Sequence, residues 1–204
     1  MSSTVAVRPT GARPAQGRPA ELRPAEGRPT AVRPTGVERV LADDQLIVSK
    51  TDLKGRLTYT NDVFLTISAI DEPDAIGHPH NLIRHPDMPR GIFRLLWDTL
   101  RSGEELFAYV QNLALDGAHY WVFAHVTPSR DAQGRTVGYH STRRAVSASA
   151  RAQVERLYAD MRRVEAQHSG RGADEASLTW LREQLAAQGQ TYSEWLWSVA
   201  GGAR

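Results

Sequence analysis

The chain of 204 residues is long enough for one well-cored domain with appendages and too short for two full domains. It contains no cysteine, which excludes disulfides, thiolate metal sites and cysteine chemistry. Its net charge of +2 is unevenly spread: residues 1–40 hold seven Arg and three Glu, net +4, and the remainder holds 18 basic and 20 acidic residues, net −2, so the basic character says little about the folded part.

In chain order, Arg-Pro comes first, recurring at 8, 13, 18, 23, 28 and 33 with a strict five-residue period. Proline at that density removes amide donors and blocks both helix and ladder. The large apolar residues are too few to offset the entropy of ordering, so the segment is expected to be disordered and partly polyproline-like. It suits either a basic tether for an acidic surface or a solubilising tail, and no nucleic-acid partner is expected. Met1–Val5 lacks the basic-then-apolar pattern of a secretory leader. No apolar run approaches the roughly 18 residues that a membrane span needs. The expectation is a cytoplasmic protein without a membrane span.

Order is expected from Leu41. Leu46–Thr51 and Arg56–Thr60 read as the two strands of a hairpin around Asp52–Gly55. Asn61 stands where a helix N-cap belongs, ahead of Val63, Phe64 and Ile67. Asp71–Gly77 predicts one short helical turn closed by glycine. The stretch 78–89 contains three prolines and cannot be a regular long helix. Beyond Pro89, the spacing of Ile92, Phe93, Leu96, Trp97 and Leu100 predicts a helix that stops at Gly103. Phe107–Leu115, Tyr120–Thr127 and Thr136–Thr142 predict three strands in a meander. The result is an α+β architecture: a five-stranded antiparallel sheet with short helices across one face. Past Val146, the 3-4-3 steps of Val154, Leu157, Met161 and Val164, repeated by Leu178, Leu181 and Leu185, predict helices. A last amphipathic piece carries Tyr192, Trp195, Leu196 and Val199. These stripes suit either packing within the chain or pairing of two chains.

The eleven residues from Pro79 to Pro89, Pro-His-Asn-Leu-Ile-Arg-His-Pro-Asp-Met-Pro, together with the element order, resemble the flavin-binding PAS domain of bacterial aerotaxis receptors. Flanking pieces agree in order, among them Thr51-Asp52-Leu53, Thr60–Phe64, Trp97–Leu100, Val110–Asn112 and Gly117–Val122, so that the resemblance covers about residues 42–160. It implies a PAS fold; joined to the composition of the tail and the late helical stripes, the expected organisation is a disordered tail over 1–40, the sensor domain over 41–146 and a helical extension over 147–204. It also implies FAD between helices and sheet, with Asn61, His80, Arg84, His85, Asp87, Phe93, Trp97 and Asn112 as the cofactor-binding residues.

Residue chemistry fits that assignment. Phe93 and Trp97, at i and i+4, can wall a ring, although the same spacing also suits plain core. Asn61 and Asn112 carry amides suited to an imide edge. The fork of Arg84 matches phosphate, with His80 and His85 as weaker donors. Asp87 would orient Arg84 or His85, or cap the helix after Pro89. In two respects the sequence departs from the pattern. Leu106 stands where relatives commonly carry Trp, with Phe107 as the available substitute. A following membrane segment and signalling coiled coil are absent from the 204 residues, so the expected output acts in trans, on a chemoreceptor or kinase, or through a homodimer.

Three functions remain compatible: an FAD redox sensor, a haem oxygen sensor using His80 or His85, and a cofactor-free interaction module. No catalytic residues and no metal ligands are expected. No Ser-His-Asp arrangement, phosphate-binding glycine loop or dinucleotide fingerprint is found, so an enzyme is not expected.

Overall fold

A computed structural model describes residues 32–168 and 170–201. The Arg-Pro repeats up to residue 31, and the disorder expected of them, lie outside the described residues.

Strand β1 (Ile47–Thr51) pairs antiparallel with β2 (Leu57–Thr60). Asp52 closes the turn between them, its Oδ1 accepting the amides of Lys54 (2.8 Å) and Arg56 (2.9 Å). Strands β3 (Leu106–Leu113), β4 (His119–Arg130) and β5 (Thr136–Arg144) form the meander. β5 lies beside β1, giving one antiparallel sheet of order β2-β1-β5-β4-β3. Side chains alternate between the two faces of each strand. The register Ser49↔Ser141, Ser141↔Val126, Ala108↔Ala124 and Asn112↔Tyr120 therefore defines an inner face.

Four helical elements run between β2 and β3: α1 (Asp62–Ser68), α2 (Glu72–Ala75), a 3-10 turn at His80–Ile83, and α3 (Arg90–Arg101). Phe64, Ile83, Ile47, Leu57, Tyr120 and Val122 join α1, the 3-10 turn and the inner face in one buried cluster. Each such side chain contributes roughly 1.5–3 kcal/mol by leaving water. Pro89 precedes α3 and offers no side-chain cap to it.

The second cluster lies on the other side of α3 and on the outer sheet face. It is built by α4 (Ala148–Ala166), α5 (Ala173–Ala187) and α6 (Tyr192–Gly201). Of the predicted seam, Val154, Met161, Leu178, Leu181 and Leu185 are buried within the chain in one cluster with Ile92, Tyr109 and Trp121, and Val164 is only partly buried. The seam is thus used intramolecularly. Tyr158 turns inward beside it and donates its hydroxyl to the Tyr109 carbonyl at 2.7 Å, while Leu157 is only partly buried.

Order also begins earlier than Leu41. The Thr35 amide donates to the Gly117 carbonyl (2.9 Å), His119 to Val37 (2.8 Å) and Arg39 to His119 (2.8 Å). This short segment lies along the β3–β4 turn, where Gly117 holds φ +90° and a Cβ would stand 2.5 Å from the Arg33 carbonyl oxygen. Sequence reasoning missed it because the groups that hold it are far away in the chain: the backbone of the β3–β4 turn, Asp116 and the Ile67 carbonyl for Arg39, and Arg151 for Glu38.

Candidate functional site

A cavity of about 240 Å³ opens between α3, the 3-10 turn and the inner sheet face. Its apolar wall is one face of α3, carrying Phe93, Leu96, Trp97 and Leu100, opposite Val110, Ala124 and Val126 of the sheet. The 3-4 spacing of α3 aims these residues together. The Trp97 ring meets Tyr139 edge to face at 5.5 Å. It also closes over the β1–β2 turn, where a Cβ on Gly55 would stand 3.2 Å from the indole.

The opposite wall is polar and centred on Arg143. Alternation along β5 turns Tyr139, Ser141 and Arg143 inward, and His140, Thr142 and Arg144 outward. Arg143 is 5 % exposed and, among the described residues, forms no salt bridge; its hydrogen bonds go to neutral groups. Its Nη2 donates to Ser49 Oγ at 3.0 Å and to His80 Nε2 at 2.5 Å. Burial pushes this guanidinium down to about 10. Burial, reinforced by the Arg143 charge, holds His80 at about 3, so the imidazole is neutral and accepts at Nε2.

Six buried side-chain polar atoms have no hydrogen-bond partner among the described residues, and three belong to residues of this cavity: Asn112 Nδ2, Ser141 Oγ and Arg143 Nη1. A buried donor left unpaired costs roughly 1–3 kcal/mol, more if charged, and such atoms are rare in folded proteins. Their convergence suits a planar ring whose edge accepts hydrogen bonds, or a small anion.

The expected site residues divide into two groups. His80, Arg84, Phe93, Trp97 and Asn112 line the cavity. Arg84 stacks its guanidinium 3.9 Å above the Phe93 ring and bridges through its backbone to Asn112, so it serves as part of the wall. His80 accepts from Arg143 at Nε2, so that nitrogen is taken and is not free to be the phosphate donor expected of the residue.

Asn61, His85 and Asp87 do not line the cavity. Asn61 spends its amide on the fold: Oδ1 accepts from Val48 N (3.0 Å) and Phe64 N (3.2 Å), and Nδ2 donates to Leu46 O (2.8 Å). His85 is buried, its Nδ1 accepting the Asp87 amide at 3.1 Å and its ring meeting His119 edge-on at 5.8 Å. Burial lowers its pKa, partly offset by Asp87. Asp87 lies outside, its carboxylate 3.9 Å from His85, and it does not cap α3. Phe107 cannot substitute for a tryptophan at Leu106, because it points to the outer face and stacks on His125 at 4.0 Å.

Sequence reasoning missed Arg143, Ser141 and Lys54, the last at the cavity mouth. Period-2 alternation through Tyr139-His140-Ser141-Thr142-Arg143 was the available signal. The predicted strand stops at Thr142, one residue short of Arg143, whereas β5 runs to Arg144.

Among the described residues, no helix is long and apolar enough to cross a membrane, and no group of three metal-ligating side chains gathers. The family described as PAS fold matches residues 57–143. The aerotaxis receptor of Escherichia coli is 41 % identical over 118 residues, covering 58 % of this chain and 23 % of the receptor. The nitrogen fixation regulatory protein of Klebsiella pneumoniae is 28 % identical over 50 % of this chain and 21 % of its own length. The biofilm dispersion protein BdlA of Pseudomonas aeruginosa is 29 % identical over 41 % of this chain and 20 % of its own. The chain thus spans about a fifth to a quarter of the curated relatives it matches. The sheet order, the helical block and the residues of 79–89 agree with that match, and over this region the chain is similar to the aerotaxis receptor and has the PAS fold.

Proposed function

We propose that the domain is a redox sensor that holds FAD in the cavity beneath α3 and signals, in the cytoplasm, through its C-terminal helices to a chemoreceptor or kinase in trans or to a second copy. The observation that carries this reading is the convergence of Asn112 Nδ2, Ser141 Oγ and Arg143 Nη1, unpaired and buried, on one cavity with an aromatic wall.

The residues fit a flavin in type. Asn112, Ser141 and Arg143 supply donors for carbonyl oxygens at a ring edge, and Phe93, Leu96 and Trp97 supply the apolar face. Lys54 and Arg84 stand as cations for a pyrophosphate. The enclosed volume, about 240 Å³, lies below the roughly 300–1,000 Å³ of sites that swallow a whole ligand. A ring-sized portion is therefore what the cavity can enclose. When bound, the flavin supplies a reversible change of ring charge and protonation. Arg143 favours negative charge at the edge it faces, and neutral His80 can take or return a proton at Nε2 only if Arg143 withdraws.

This reading is favoured over haem, because His80 Nε2 already meets a guanidinium and His85 is outside the cavity lining. A cofactor-free module would leave the three polar atoms buried without purpose. The absorbance spectrum of purified protein decides: bands near ~370 and ~450 nm indicate oxidised flavin, a sharp Soret band indicates haem, and a flat visible region after supplementation with FAD refutes the proposal. Arg84→Ala and Trp97→Ala are expected to lower flavin content while leaving the fold intact. Normal loading in both sinks the site assignment.

A further inference from the structure

The face of α3 turned away from the cavity carries Gly91 and Arg94, and it is held by the C-terminal helices. Gly91 lies so close to α5 that a Cβ there would stand 2.4 Å from Ser177 Oγ and 2.9 Å from the Leu178 amide. The carboxylate of Glu165, near the end of α4, joins both partners: Oε1 accepts from Gly91 N at 3.0 Å and from Ser177 Oγ at 2.7 Å. Glu165 thereby supplies, from another helix, the cap that Pro89 cannot give to the first turn of α3. Arg162, one turn earlier, donates to the Asp87 carbonyl at 2.7 Å, and Arg94 reaches Asp174 of α5 at 3.5 Å. The contacts of Gly91, Arg94 and Arg162 fix the 79–89 segment or the helix that forms the cavity wall, and the Ser177 bond ties α5 to the same carboxylate.

We infer that Glu165 clamps α4 and α5 to the first turn of α3, and that this clamp is where the state of the pocket passes to the C-terminal helices. The inference rests on the reading of the cavity as a cofactor site. Phe93 and Trp97 face the cavity two and six residues after Gly91 on the same rigid helix. A displacement of the wall therefore moves the Gly91 amide against a contact that has no free space. Arg84 couples the two sides electrostatically, because the Glu165 carboxylate supports its charge while burial opposes it. An anionic cofactor group drawn to Arg84 competes for that support and weakens the clamp. The clamp also gives a task to His85 and Asp87, which the cavity does not use: they hold the loop to which Arg162 binds.

Linkage makes the test two-sided, since a ligand that loosens the clamp must bind more tightly when the clamp is already loose. Amide hydrogen exchange over residues 173–187 is followed in the full chain with and without added FAD, alongside the FAD dissociation constant, for wild type, Glu165→Gln and Ser177→Ala. Without FAD, both variants are expected to exchange about tenfold faster in this helix. In wild type, FAD is expected to speed that exchange about threefold or more; in Glu165→Gln the effect disappears and FAD binds correspondingly tighter. Wild-type protein that binds FAD with no change in exchange over 173–187 overturns the inference alone. Variants that loosen α5 but leave the FAD constant unchanged overturn it too, since they reduce Glu165 to a structural contact. Wild-type protein that binds no FAD overturns the cofactor reading and the inference with it.

Discussion

Replacing Arg143 by methionine separates a charge kept for a ligand from a charge kept for the fold. The guanidinium is buried, and its pKa is depressed from 12.5 to about 10, chiefly by desolvation. That depression corresponds to roughly 3 kcal/mol of cost in the charged state. Because the folded value lies below the unfolded one, the cost is fully present at pH 7 and is relieved only as pH rises through about 10. Arg143→Met removes it together with the bonds to Ser49 and His80, each worth about 1 kcal/mol. Those two groups already lie 3.3 Å apart and can pair directly. The flavin-free variant is therefore expected to match wild type or to exceed it by about 1 kcal/mol, a rise of roughly 2–4 °C in Tm for a chain of this size. Its FAD content is expected to fall at least tenfold. Circular-dichroism melts of stripped protein and the absorbance ratio at ~450 nm read the two effects. A loss near 3 kcal/mol or more, as when one partner of a buried ion pair is cut, would refute the reasoning by making Arg143 a structural keystone. Undiminished FAD content would refute it from the other side.

Two further outcomes follow from the same geometry. Asn61→Ala should cost about 2 kcal/mol of stability, from the lost cap and the backbone groups it leaves unpaired, with little change in FAD per folded molecule; Asn112→Leu should do the reverse, and denaturant titrations with cofactor assays distinguish them. The folded protein should be acid-labile through His80: its folded value of about 3 lies below the ordinary 6.5, so stability present above pH 6.5 is lost as pH falls toward 3, by at most roughly 5 kcal/mol. The ring keeps some solvent contact, which makes this an upper bound. His85 and His140, also depressed by burial, act in the same direction. The gap between urea midpoints at pH 7 and 5 should narrow in His80→Gln, with His85 and His140 keeping a remainder; an unchanged gap would contradict the assignment.

The fold was legible because its elements rest on local signals. Period-2 runs gave the strands, Asn61 and Gly103 bounded the helices, and the 3-4 spacing of α3 placed Phe93 and Trp97 on one wall. The polar half of the site was less legible. Whether a charged residue in a strand faces water or a cavity depends on the register with β1 and β4, which no window around Arg143 contains. The segment 79–89 marked the family without revealing that it works on two sides, with His80 and Arg84 lining the cavity, while His85 packs against His119 and the Asp87 carbonyl meets Arg162 of α4. The choice between self-packing and pairing for the late helices rested on the outer face of β3 and β4, whose Tyr109 and Trp121 alternate with the inward residues and read as ordinary strand positions.

Helix α6 covers part of that outer face. Trp197 lies over Phe107 (4.9 Å) and Phe123 (5.8 Å), and Tyr192 donates to the Phe107 carbonyl at 3.2 Å. Only residues 188–191 separate it from α5. So short a tether holds α6 at an effective concentration in the millimolar range over its seat. Any second chain or partner that uses the aromatic face of β3 and β4 thus meets a built-in competitor. At micromolar protein it displaces α6 only by binding far more tightly than α6 does, and shortening the chain before Tyr192 lowers that threshold without altering a single residue of the face itself.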